Sequence, residues 1–226
     1  MKIRVINKNI YHFIAKTQHE LTSTFVRLEE FYESPFPEIQ GKYFTLRKFK
    51  ELYAASREDG KFTYFQDWGG FNIPGDSILE FNKLFQDKTK KEEAILSIIS
   101  KYIKYNNNKF YIIGTIGEVE ALDHEYAHAQ YYLNPEYKQR CEDIYKSVVP
   151  MGIRKHIATQ LLKMGYDISK VADETQAYLA TSKMGYMLET LNFSIDKFPL
   201  NIIESIVKYQ DNFDTLPIQS SVYLPP

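Results

Sequence analysis

The chain has 226 residues, 44% apolar and 25% charged, which suits one globular domain, alone or with a smaller appended lobe. The single cysteine, Cys141, excludes a disulfide framework and any cysteine-based zinc finger. With 28 basic and 29 acidic residues the formal charge is −1, so no electrostatic footprint points to a nucleic acid or an anionic membrane.

Residues 1–8 lack the apolar stretch of a signal peptide. No window approaches about 18 uninterrupted apolar residues, so no membrane span is expected and the expected compartment is the cytoplasm. The 18 Tyr and 15 Phe are read as core packing, because aromatic rings supply large buried area.

In chain order, residues 2–6 suit a short strand. Residues 16–33 have Leu21, Phe25, Leu28 and Phe31 at helical spacing, and Pro35 and Pro37 stop that helix. Thr45 suits the N-cap of a second helix reaching about Ala55. The segment 65–75 holds three glycines, a proline and the only tryptophan, Trp68, and reads as an ordered loop. It has two readings: a connection pinned by a buried Trp, or a wall of a substrate cleft. Asp76 or Ser77 suits the cap of a helix over 77–86. A longer helix over 90–105 places Ile95, Ile98, Ile99 and Tyr102 on one face.

Residues 109–114 are the best strand candidate of the chain. A helix is expected from about Glu118 to Leu133, where Pro135 bars continuation. Helices near 136–148, 151–164 and 168–187 follow, the last capped by Asp167 or Ser169, and one more is expected at 200–212. The tail 216–226 reads as irregular. The fold class expected is α+β, a mostly helical core with a small sheet before the helix that carries the motif below. The chain reads as a single domain, 1–226, with an α/β lobe at 1–108 and a mostly helical, metal-binding lobe at 109–226.

The informative stretch is Ala121-Leu122-Asp123-His124-Glu125-Tyr126-Ala127-His128-Ala129, which spells H-E-x-x-H. With 5 His in 226 residues, this arises by chance on the order of once in a hundred such chains. On a helix, positions i and i+4 lie above one another, so His124 and His128 can reach one metal ion. Glu125 is about 100° around the helix, placed to take a proton from water without being a ligand. A catalytic zinc needs a third protein ligand and an open position. Six residues after His128, where a third histidine would complete a metzincin pattern, stands Asn134. His156 sits among Ile153, Ile157, Leu161 and Leu162 and reads better as a core-edge or surface histidine. Asp173 and Glu174 remain, on a helix 45 residues on, enough chain for two helices in between.

H-E-x-x-H followed by a helix with E-x-x-A, here Glu174 to Ala177, resembles the gluzincin branch of the zincin metallopeptidases over about residues 109–181. That resemblance implies Zn²⁺ held by His124, His128 and Glu174, with Glu125 as general base. It implies a small Ala177 so that the two helices pack closely. It also implies a hydrolase: a zinc metallopeptidase acting on a peptide or protein substrate. Many gluzincins carry an Asp four residues after the ligand Glu, accepting a hydrogen bond from a ligand histidine. This chain has Tyr178 there. Its phenol either accepts from an imidazole or faces the substrate and stabilises the oxyanion. Asp173 is the fallback ligand, reached if its helix turns by about 100°. In zincins an edge strand before the active-site helix holds the substrate in extended form, and residues 110–113 stand in that place.

No phosphate-binding loop and no G-x-S-x-G elbow occurs. Cys141 reads as a small hydrophobe rather than a nucleophile. Two other readings remain open: a catalytically inactive zincin-fold module that binds zinc or a protein partner, and a metal-free helical interaction protein.

Overall fold

The computed structural model describes residues 1–7, 9–103, 109–117, 122–164, 166, 168–181 and 221–223. The protein is α+β and divides into two compact units, 1–122 with 217–226, and 123–216. Among the described residues no helix is long and apolar enough to cross a membrane.

The first unit is built on a five-stranded sheet. β1 (Lys2–Asn7) and β2 (Ile10–Ala15) form an antiparallel pair with Ile3 opposite Phe13. β4 (Tyr111–Ile116) runs parallel to β2, and β3 (Gly70–Pro74) lies antiparallel on its other side. β5 (Ser221–Tyr223) pairs with β1, which makes the order β3-β4-β2-β1-β5.

Four sequence expectations change here. β4 is internal, paired on both edges, so the expected exposed edge at 110–113 is absent. The physical reason was present in the chain. Tyr111 to Thr115 are all buried, and a strand covered on both faces is a near-continuous apolar run rather than an alternating one. The segment 65–75 is not one loop: α3 (Tyr64–Asp67) precedes strand β3, whose Phe71 and Ile73 alternate inward. The tail contributes a strand at 221–223. Finally, β4 was expected in the second lobe. Its hydrogen bonds go to β2 and β3, so it belongs to the first unit.

Helices α1 (Gln18–Tyr32), α2 (Leu46–Ser56), α4 (Gly75–Leu84) and α5 (Lys90–Ile103) complete this unit. Thr17 caps α1, its hydroxyl accepting from Glu20 N at 3.1 Å, and Thr45 caps α2 by accepting from Lys48 N at 3.1 Å. The core is aromatic, as the composition suggested. Phe13 meets Phe25 edge-on at 5.8 Å, Phe25 stacks on Phe71, and Phe49 meets Tyr64 at 5.0 Å. α4 starts at Gly75, earlier than expected. A Cβ there would stand 2.5 Å from the Phe110 ring, so only glycine admits this approach, and its N–H donates to the Phe110 carbonyl at 2.8 Å.

The second unit is helical in its described part: α6 (Leu122–Leu133), α7 (Pro135–Ser147), α8 (Met151–Met164), a 3-10 turn (Ile168–Lys170) and α9 (Val171–Thr181). Asn134 ends α6 and caps α7, its side chain accepting from Glu136 N and Tyr137 N, with Pro135 at the first helical position. Val149, Ile157, Leu161, Val171 and Leu179 form the apolar centre. Cys141 is buried beside Tyr131, in keeping with a packing role. The helix expected at 200–212, the continuation past 181, and Asp167 lie outside the described residues.

Candidate metal centre

The α6 stretch from Leu122 to Leu133 sets His124 and His128 one turn apart on one face. Ala127 and Ala129 on neighbouring positions are fully buried, so the helix is drawn into the unit with its histidines. α7 and α8 fill the interval between His128 and Glu174, and α9 returns to face α6 with Asp173 and Glu174 in its first turn.

The two histidine Nε2 atoms stand 3.3 Å apart. Glu174 Oε1 is 3.5 Å from His128 Nε2, and Glu174 Oε2 is 3.7 Å from His124 Nε2. Ligand bonds of about 2.0–2.2 Å place tetrahedral donor atoms about 3.3–3.6 Å apart, so these spacings lie on or just beyond the edge of one such tetrahedron. Among the described residues, His124, His128 and Glu174 are the group able to hold a metal ion; His156, on α8, is not part of it.

Burial and ionisable neighbours shift His124, His128 and Glu174. Burial first, and then the neighbouring His128, push the His124 imidazole down to about 4, so it is neutral and keeps a lone pair at neutral pH. Its ring also donates to the Ala177 carbonyl. Burial opposes a charged His128, but Asp173 and Glu174 outweigh it and hold that imidazole well above its ordinary value. Burial, aided by Asp173, raises the Glu174 carboxyl to about 7 against the pull of His128 and Lys170. Glu174 Oε2 is buried and, among the described residues, has no hydrogen-bond partner. A buried, unsatisfied carboxylate oxygen costs free energy on the order of 1–3 kcal/mol or more, which a bound cation offsets.

Asp173 is not among the three converging groups. Its Oδ1 accepts from His128 Nδ1 at 2.9 Å, which leaves His128 Nε2 facing His124 and Glu174. A carboxylate on the remote nitrogen of a ligand histidine fixes ring orientation and raises basicity. On His128 that carboxylate is Asp173, the residue just before Glu174. The Tyr178 ring packs edge-on against the His124 ring at 4.8 Å, and its hydroxyl lies 3.4 Å from that of Tyr166. Glu125 is buried, and its charge is felt by His124, His128 and Tyr166.

Tyr166 escaped sequence reasoning because nothing in the spacing of an interhelical tyrosine announces a partner. Asp173 was visible, and the adjacent Asp-Glu pair was a signal of two roles, but only as a choice of ligand. Comparison with protein-family models, curated proteins and solved structures returned no match.

Proposed function

We propose that this protein is a zinc-dependent metallopeptidase. The observation that carries the reading is the convergence of two imidazole Nε2 atoms, 3.3 Å apart, on a buried carboxylate with an unsatisfied oxygen. His124, His128 and Glu174 hold the ion. The chemistry such an ion supplies is Lewis acidity, which makes water ionise near neutral pH and polarises a carbonyl. Asp173 holds the His128 ring so that its lone pair faces the site. Glu125, one position along the helix from His124, takes the proton of the attacking water and returns it to the leaving amine. Tyr178, packed on the His124 ring, supports that ligand or the oxyanion of the tetrahedral intermediate. The substrate is a peptide or protein segment.

The test is metal content of the purified chain, with His124→Ala and Glu174→Ala alongside. The expected result is zinc near one per chain in the wild type and loss in both variants, followed by cleavage across a peptide library. No zinc after reconstitution overturns the reading. Zinc with no cleavage of any peptide replaces it with a zinc-binding interaction module.

A further inference from the structure

Resting on the metal-site reading, one feature of the second unit goes past its three ligands. Asp173 Oδ1 accepts two hydrogen bonds, from His128 Nδ1 and from Gln176 Nε2, each at 2.9 Å. The oxygen of the same Gln176 amide accepts from the Tyr137 hydroxyl at 2.7 Å. The chain Tyr137, Gln176, Asp173, His128 therefore links α7, α9 and α6. Every hydrogen bond in it has one direction. The Asp173 carboxylate can only accept, so the amide presents N–H to it, which turns the amide oxygen to the Tyr137 phenol O–H. The flipped amide would set oxygen against oxygen and leave the phenol without its acceptor. Gln176 is buried, at 3% exposure, so water does not substitute for either partner at low cost.

We infer that Gln176 and Tyr137 are positioning residues. They orient the Asp173 carboxylate and, through it, hold the His128 imidazole with Nδ1–H on Asp173 and Nε2 on the metal side. Neither residue touches the ion or the substrate. Tyr137 acts only through Gln176. Outer partners of this kind govern metal affinity by about 10–100-fold when they contact the ligand directly, and by less when one residue removed.

The experiment is zinc affinity of the full chain, by competition with a chromogenic chelator, in wild type, Asp173→Ala, Gln176→Leu, Tyr137→Phe and the Tyr137→Phe/Gln176→Leu double variant. Expected losses are about 10–100-fold for Asp173→Ala. They are about three- to tenfold for Gln176→Leu and about two- to threefold for Tyr137→Phe, the range of one neutral hydrogen bond. The double variant binds no more weakly than Gln176→Leu, because the two residues form one path. Wild-type affinity in Gln176→Leu, or additive losses in the double variant, overturns the inference. Melting of the metal-free variants checks their folding; should Gln176→Leu melt early, Tyr137→Phe, which keeps the ring, decides.

A second readout separates this inference from the reading it rests on. The His128 Nδ1–H signal in proton NMR of the metal-free chain is expected to vanish in Asp173→Ala and to shift in Tyr137→Phe. If the wild type takes up no zinc, the metallopeptidase reading falls by itself. The relay then stands on this signal, and an unmoved signal overturns it.

Discussion

Each unit buries a cluster of ionisable side chains, and the two clusters are built on opposite principles. In the first unit, Arg27 on α1 donates Nη2 to Glu92 Oε2 at 2.6 Å and Nε to Glu92 Oε1 at 2.8 Å. Its Nη1 reaches Asp87 Oδ1 at 3.1 Å, and its guanidinium lies 5.2 Å from the Phe85 ring centre. Each charge there meets its opposite, with the bidentate geometry that suits arginine and carboxylate. In the second unit, the Nε2 atoms of two histidines and the Glu174 carboxylate lie close together, and among the described residues Glu174 Oε2 has no hydrogen-bond partner. The first cluster is complete as it stands and ties α1 to the segment that starts α5. In the second, His124, His128 and Glu174 lie close enough together to hold one metal ion.

The largest expected effect is that of Glu125→Gln. If the second cluster is a catalytic centre, this change keeps zinc and lowers peptide cleavage by about 10²–10⁴-fold, the range of general-base catalysis. Full activity with zinc retained would remove Glu125 from the mechanism.

The next largest effect belongs to the first cluster. Arg27→Ala leaves the buried Glu92 carboxylate without its cation, with only the Thr89 N–H still donating to it at 2.7 Å, and should cost about 3–5 kcal/mol. Replacing the pair together, Arg27→Met with Glu92→Leu, should recover most of that loss, since an apolar pair of similar volume needs no compensation. Urea unfolding followed by Trp68, the only tryptophan and a member of the first unit, reads both. Equal losses in the single and the paired variant would mean that packing, not charge compensation, carries this contact.

A smaller effect sharpens the contrast within the first unit. Glu30 is buried, and burial raises its carboxyl from 4.5 to about 7 despite hydrogen bonds from Ser34 and Tyr64. Below pH about 4.5 both folded and unfolded chains hold the proton, and the contribution to stability is full. As pH rises toward about 7 the unfolded chain ionises first, and stability falls; above that the loss is complete. The gap from 4.5 to about 7, at about 1.4 kcal/mol for each tenfold change in proton affinity, amounts to about 3 kcal/mol. Glu30→Gln should remove this decline, so that wild type and variant differ more at pH 8 than at pH 4.5 in the same urea assay. Parallel pH profiles would place the Glu30 carboxyl in water.

Much of this molecule was legible from local rules. Thr45 capped α2 as expected, because a cap needs only its own hydroxyl and the next turn. Pro135 and Asn134 divided α6 from α7 for the same reason. The strand expected at 109–114 lies two residues further on, at 111–116, a boundary matter settled by which backbone groups find partners in β2 and β3. Strand β2 went unrecognised since its six residues are all buried and show no alternation, and β3 was hidden by the glycines and proline that bound it.

The sequence by itself determined that His124, Glu125 and His128 would share a helix, because a 3.6-residue period leaves i and i+4 no choice but to meet. It also determined that a second helix would bring an acidic pair within reach. Only the tertiary structure decided which member of the pair faces the histidines from the inside. Asp173 and Glu174 differ by about 100° around α9, and the rotation of α9 depends on what its other faces bury: Val171, Tyr178 and Leu179 against the apolar centre, and Gln176 toward Tyr137. Likewise only strand pairing across some hundred residues made β4 the interior of a sheet rather than its edge. Helical geometry is local and can be read along the chain; rotation and register are settled by distant partners.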